Sequence, residues 1–288
     1  MVIIMSYNKL QILKTTVNIG LDAPVRVLHV TDTHIAYDDP VRYSGRFKCF
    51  ETEDDRGQTL DYLRQATEYA KREGITIVHT GDLIDYLSDE NFRLVDKYLD
   101  GVDYIYAAGN HDFCHWVGEA KEDAAYKWEY MPHSAPHFKS NLIFDSRVIK
   151  GVNFVTLDNS YYLISDGQVD MLRAEAAKGY PIVLCMHNPL YTPGFAELTD
   201  GDTLVNCGIA VVGAPVEYLA RYSLHRRKQQ TPDEATLRAI RYIKSEKLIR
   251  ALVVGHKHMN YEESLDNGVP QITTHGTFAG FVREITFM

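Results

Sequence analysis

Apolar positions recur along this chain with two different periods, and the switches between them outline the elements. Short runs rich in β-branched and aliphatic residues lie at 10–18, 25–31, 75–80, 103–107, 142–149, 152–157, 181–186 and 249–254. Runs of this length and composition read as buried strands. Between them, 55–73 places Leu60, Leu63, Ala66, Tyr69 and Ala70 on one face of a helix, with Gly74 as its stop. A second helix is predicted at 88–100, opened by Ser88-Asp89-Glu90, and others at 167–178, 215–228 and 232–247. The last of these has Thr231 as its cap and Pro232 at its first position. The first two strands join around Gly20 and Pro24, and Lys150-Gly151 predicts a hairpin between 142–149 and 152–157. Residues 260–288 read as three short strands around Asn267-Gly268 and Gly276–Gly280.

From residue 25 to 107 the order is β-α-β-α-β, which predicts a parallel sheet with right-handed crossovers. The segment 118–140 reads as a long loop with some helix, and 190–214 lacks a clear period. No repeat, low-complexity tract or linker breaks the pattern. The chain 1–288 is therefore read as one α/β domain, although its length alone would suit two.

The chemistry gathers at the ends of these strands. Asp32 and His34 follow the run 25–31, and Gly81-Asp82-x-x-Asp85 follows 75–80. Gly109-Asn110-His111-Asp112 follows 103–107, His187 follows 181–186, and Gly255-His256-Lys257-His258 follows 249–254. Open α/β sheets bind their ligands at the carboxyl ends of their strands. Two Asp, one Asn and four His at such ends are metal-ligand types, more numerous than one ion needs. Without thiolate among them, they suit Mn, Fe, Co or Zn and do not select one.

These five motifs, in this order, resemble those of the calcineurin-like metallophosphoesterase superfamily, over residues 32 to 258. The resemblance implies a four-layer α/β/β/α sandwich with a dinuclear metal site at the C-terminal ends of the strands. By position it implies Asp32, His34 and His258 on one divalent ion, Asn110, His187 and His256 on the other, and Asp82 bridging them. It implies hydrolysis of a small phosphate ester by attack of a metal-bridging hydroxide. His111 would donate to the leaving oxygen, Asp112 would hold its ring, and Asp85 would orient a ligand or a loop. Class III cyclic nucleotide phosphodiesterases share this motif set, which favours a phosphodiesterase. A phosphomonoesterase of the same fold and a catalytically silent metal-binding scaffold are the alternatives. Purple acid phosphatases carry Tyr where this chain has Asp85, so no tyrosinate–iron site is expected.

Composition narrows the partners. There are 30 basic and 39 acidic residues, a net charge of -9, which argues against nucleic acid or an anionic membrane as partner. No stretch approaches the ~20 apolar residues of a membrane span. The opening Met-Val-Ile-Ile-Met lacks the marks of a signal peptide. The four cysteines, Cys49, Cys114, Cys185 and Cys207, form no C-x-x-C pair. A cytoplasmic, reducing location is expected. His29 and His79 fall inside strands and read as core histidines, whereas loops 36–53, 114–140 and 190–214 are expected to set the substrate.

Overall fold

The computed structural model describes residues 9–37, 58–115, 123–199 and 210–288. Most of loop 36–53, the first residues of the helix predicted from 55, the middle of loops 114–140 and 190–214, and Cys49 and Cys207 lie outside the described residues.

Two sheets form the centre. The first holds β1 (Gln11–Val17), β2 (Val25–Val30), β3 (Thr76–His79), β4 (Tyr104–Tyr106) and β11 (Phe281–Phe287), in the order β1-β11-β2-β3-β4. The second holds β5 (Phe144–Ile149), β6 (Val152–Leu157), β7 (Ile182–Cys185), β8 (Ile249–Val254), β9 (Tyr261–Ser264) and β10 (Pro270–Thr273), in the order β5-β6-β7-β8-β10-β9. As the alternation of strands and helices requires, β2, β3 and β4 pair in parallel, and so do β6, β7 and β8. The hairpin at Lys150-Gly151 forms, with both residues at positive φ, as a tight two-residue turn demands.

Strands β2, β3, β4, β6, β7 and β8 bury both faces, and the two kinds of face see different neighbours. Val27, Val78, Ile105 and Ile285 of the first sheet meet Val152, Phe154, Val183, Ala251 and Val253 of the second in a shared inner core. The outer face of the first sheet packs Leu28, Val30 and Ile77 against Leu63 and Ala66 of α1 (Gln58–Glu73) and Leu94 and Val95 of α2 (Asp89–Leu99). The outer face of the second packs Val155, Leu184 and Leu252 against Val169 and Leu172 of α4 (Asp166–Ala176) and Ala239 and Ile243 of α8 (Glu234–Ser245). The result is the expected α/β/β/α layering. Among the described residues, no helix is long and apolar enough to cross a membrane.

Caps decide several boundaries. Ser88 accepts from the amide of Asn91 to open α2, and Ser165 and Gln168 close a capping box on α4. The helix expected from Thr231 instead starts at Glu234, because the Asp233 side chain accepts from the amide of Thr236. The helix expected over 215–228 is two short ones, α6 (Val216–Leu219) and α7 (Leu224–Gln230), since Ser223 caps the second. The segment 118–140 contains α3 (Ala124–Ser134), and 190–214 contains α5 (Pro193–Thr199). The C-terminus adds a feature that the strand pattern does not specify. The third late strand, β11, leaves the second sheet and inserts between β1 and β2, parallel to one and antiparallel to the other. The two N-terminal strands therefore do not pair with each other.

Candidate metal centre

The seven ligand candidates leave the ends of β2, β3, β4, β7 and β8, and the fold brings them into one cluster, buried except for the half-buried His256 and His258. The loops that carry them are held in uncommon backbone. Asp32, His34, Asp82, His256 and His258 all have positive φ, between 47° and 68°. Non-glycine residues in this region cost ~1–3 kcal/mol each and persist only where the surroundings impose them. Here the loops clamp one another: the amide of Asp32 donates to the carbonyl of Gly81, and that of His34 to the carbonyl of Asp82.

The two carboxylates are arranged alike. Asp32 Oδ2 accepts from the amide of His256 at 2.9 Å and the hydroxyl of Thr31 at 2.7 Å. Its other oxygen, Oδ1, is buried with no hydrogen-bond donor, and lies 3.2 Å from His258 Nε2. Asp82 Oδ1 accepts from the amide of His111 at 2.8 Å. Its Oδ2 lies 3.2 Å from His187 Nε2 and 3.7 Å from His34 Nε2, between the two halves of the cluster.

The imidazoles are turned by partners on their far sides. His34 Nδ1 is 2.9 Å from Asp85 Oδ1, and His187 Nδ1 is 2.6 Å from the carbonyl of Thr80. Both partners accept, so these Nδ1 atoms carry protons, and each Nε2 is the atom turned toward the cluster. His34 Nε2 then faces His258 Nε2 at 3.2 Å. His187 Nε2 faces Asn110 Oδ1 at 3.2 Å and His256 Nδ1 at 3.1 Å. Donor atoms converging at such distances need a shared positive charge between them, a proton or a cation. Among the described residues, three overlapping groups could hold an ion: Asp32, His34 and His258; His34, Asp82 and His111; and Asp82, His187 and His256.

The electrostatics agree with that need. Burial opposes charge on both carboxylates, yet the surrounding histidines hold Asp32 and Asp82 well below the usual carboxylate range. Burial also opposes charge on His187, but Asp82 and Asp32 override it and lift His187 to about 10. A proton on His187 thus balances the carboxylates, which is the task a divalent cation would take over. Burial pushes His34 down to about 4 and His256 well below the ordinary value, which keeps both available as neutral ligands. The oxygen and nitrogen donors, the orphaned Asp32 oxygen and the far-side acceptors fit divalent ions.

Glycines make room for this packing. A Cβ on Gly109 would collide with the Asp82 carboxylate, and one on Gly255 would strike the Thr31 hydroxyl and lie 2.7 Å from Asp32 Oδ2.

His111 begins a short 3₁₀ turn and stands beside His34, ring centroids 4.8 Å apart. The expectation that Asp112 holds its ring does not match the geometry. The Asp112 carboxylate points the other way and is enclosed by backbone donors. It accepts from the amides of Asp82, Leu83 and Gly109 at 3.1, 3.1 and 2.7 Å, and from the Tyr106 hydroxyl at 2.5 Å. Burial and the Asp82 charge raise it to about 7. Its place is to tie the turn after β4 to the turn after β3. The carboxylate beside His111 is Asp85, with Oδ1 3.1 Å and the carbonyl 3.0 Å from Nδ1. Asp85 therefore faces His34 and His111 together. His29 and His79 are buried and satisfied, as core histidines should be: His29 lies between the hydroxyls of Thr80 and Thr274, and His79 reaches Thr33.

One residue close to the cluster had no signal in the ligand motifs. Tyr162, on the turn after β6, places its hydroxyl 3.3 Å from His256 Nε2.

A family model for calcineurin-like phosphoesterases matches residues 25–260. Among solved structures, a dimetal phosphatase from Danio rerio is similar over 88% of this chain and 88% of its own, with TM-score 0.50 and 15% identity. Phosphopantetheinyl hydrolase from Mycobacterium tuberculosis is similar over 90% of this chain and 92% of its own, with TM-score 0.44 and 12% identity. At 15% identity the likeness to the dimetal phosphatase is one of fold. Among curated proteins, an alanine racemase of Lactobacillus delbrueckii subsp. bulgaricus is 26% identical over 148 residues, 49% of this chain and 35% of the racemase. The match thus spans about a third of that relative's length.

Proposed function

The chain belongs to the calcineurin-like phosphoesterase family, and on that premise we propose that it is a metal-dependent hydrolase of a small phosphate ester, with a phosphodiester as the preferred substrate. The observation that carries the proposal is the convergence of nitrogen and oxygen donor atoms on both sides of Asp82 Oδ2. Asp32, His34 and His258 form one donor set, Asn110, His187 and His256 the other, and Asp82 joins them. Two divalent ions there, Mn, Fe, Zn or Co, would supply Lewis-acid charge to the phosphate oxygens and lower the pKa of water from ~15.7 toward ~7, giving a nucleophile at neutral pH.

The chain's own residues supply the rest. Asp32 and Asp82 bring only two negative charges to the seven-residue set, so the loaded site stays positive and attracts an anion. The motif set shared with class III cyclic nucleotide phosphodiesterases supports a diester as that anion. His111, its Nδ1 held by Asp85, would donate a proton to the departing oxygen from Nε2. Asp112 keeps the His111 turn seated against Asp82. The shared inner core of the two sheets supports reading the chain as one domain. The half-chain likeness to a racemase carries no activity into this proposal.

The test is hydrolysis of bis-p-nitrophenyl phosphate beside p-nitrophenyl phosphate by metal-stripped protein reloaded with Mn²⁺, with Asp82→Asn as control. Metal-dependent turnover of the diester, abolished in the control, is the expected result. Turnover of the monoester alone would replace the diester reading with a phosphatase. A metal-loaded protein silent on both, and on a wider panel of esters, would leave a binding scaffold.

A further inference from the structure

We propose that Tyr162 is a positioning residue: it fixes the ring of His256 so that Nδ1, and not Nε2, is the atom offered to the ion held with His187. The inference rests on the metal-site reading above and adds a residue that the ligand motifs do not contain.

Three observations carry it. First, the two nitrogens of His256 have different neighbours. Nδ1 lies 3.1 Å from His187 Nε2, inside the donor cluster, whereas Nε2 lies 3.3 Å from the Tyr162 hydroxyl. A neutral imidazole carries one proton, and a metal needs the nitrogen without it. With the Tyr162 oxygen accepting from Nε2–H, the lone pair is left on Nδ1. The Asp85 carboxylate and the Thr80 carbonyl place the protons of His34 and His187 on the nitrogen away from the cluster, and the Tyr162 hydroxyl, whose oxygen can accept, holds the corresponding position at His256.

Second, the ring that delivers this hydroxyl cannot wander. Tyr162 is fully buried and sits in left-handed backbone, φ 65°. A bulky residue holds that conformation only where its surroundings enforce it. Its amide donates to the carbonyl of Asn159.

Third, that turn is locked to the residue next to another ligand. Asn159 Nδ2 donates to the carbonyl of Asn188 at 2.7 Å, and the amide of Asn188 donates back to Asn159 Oδ1 at 2.9 Å. Asn188 Nδ2 also donates to the carbonyls of Asn159 and Ser160, at 2.7 and 3.0 Å. Asn188 directly follows His187. The turn after β6, which gives no ligand itself, therefore spans from His187 to His256 and sets the angle between them; their ring centroids are 4.9 Å apart.

The experiment compares wild type, Tyr162→Phe and a Tyr161→Phe control by calorimetric titration of metal-stripped protein with Zn²⁺. Long-range ¹H–¹⁵N NMR of the histidines in the zinc-loaded protein is the second readout. Wild type should bind two ions and show His256 protonated at Nε2. Tyr162→Phe keeps the ring and its packing, and should keep the melting temperature within a few degrees. It should bind the first ion normally and the second about 10–100-fold more weakly, with the Nε2–H signal of His256 lost or split. Tyr161→Phe should match wild type. Unchanged affinity for both ions together with an unchanged His256 signal in Tyr162→Phe overturns the proposal. Wild type that binds no ion overturns the metal-site reading instead. If Tyr162→Phe unfolds, Tyr162→His, which keeps a polar ring atom near Nε2, decides: second-ion binding above that of Tyr162→Leu supports the role, and equal binding refutes it.

Discussion

Asp85 Oδ1 lies 2.9 Å from His34 Nδ1, and the same atom lies 3.1 Å from His111 Nδ1. One buried carboxylate oxygen thus serves a ligand candidate and the proposed proton donor, which tilts the two rings against each other at 82°. Asp85→Ala should free both rings. Affinity for the ion at His34 should fall about 10–100-fold, and turnover should fall further than metal occupancy alone explains. Asp85→Asn keeps an oxygen in place and should lose less. Calorimetric metal titration beside kcat at saturating metal separates the two effects, and unaltered metal affinity in Asp85→Ala would refute the link to His34.

His111 should matter in proportion to how badly the leaving group needs a proton. His111→Ala is expected to cost ~100–10,000-fold in kcat on an alkyl ester, and far less on a p-nitrophenyl ester, whose leaving group departs without help. A plot of log kcat against leaving-group pKa should steepen in the variant. Equal losses across the series would remove His111 from that role.

Gly109 is a steric requirement. A Cβ there would meet the amide of Asp82 as well as its carboxylate, and both belong to the turn that carries the bridging candidate. Gly109→Ala should destabilise the fold by about 1–3 kcal/mol and weaken metal binding. Gly167, in the first turn of α4, has Ser165 Oγ 4.0 Å from the position of its Cβ, so Gly167→Ala should be neutral or slightly stabilising. Thermal melts of the pair decide; equal melting temperatures would mean that the Asp82 turn yields more readily than its contacts suggest.

Far from the cluster, Glu284 on β11 ties three elements together. It accepts from Arg26 Nε at 3.1 Å, Arg26 Nη2 at 3.0 Å and the Tyr69 hydroxyl at 2.5 Å. Arg26 holds its carboxyl below the ordinary value of 4.5, against the opposing pull of burial. A depressed carboxyl pKa contributes stability that is present above 4.5 and is lost as the pH falls through the folded value. Glu284→Gln should therefore be less stable than wild type at pH 7, with the difference shrinking on acidification. Urea melts from pH 7 to pH 3 test this, and a difference that grows toward low pH would contradict it.

The sequence by itself determined the elements and the inventory of the site. Period-two and period-3.6 patterns are local, so the alternation of strands and helices was legible. The motifs follow strand runs directly, so Asp32, His34, Asp82, Asn110, His187, His256 and His258 could be placed at strand ends and given a resemblance. What it did not hold were contacts between loops far apart in the chain. Asp85 reads from the sequence as orienting a ligand or a loop, but that one of its oxygens meets both His34, 51 residues before it, and His111 shows only once the loops are assembled. Asp112, adjacent to His111 in sequence, turns away because the amides of the neighbouring turn enclose its carboxylate. Tyr162 meets His256 across 94 residues, and a tyrosine beside a strand end has no periodic mark to set it apart from core. The insertion of β11 between β1 and β2 likewise depends on which edge offers unpaired backbone, and only the assembled sheets decide that. Local pattern records the residues a site uses; the direction each ring faces is set by hydrogen bonds that exist only after the strands have been brought side by side.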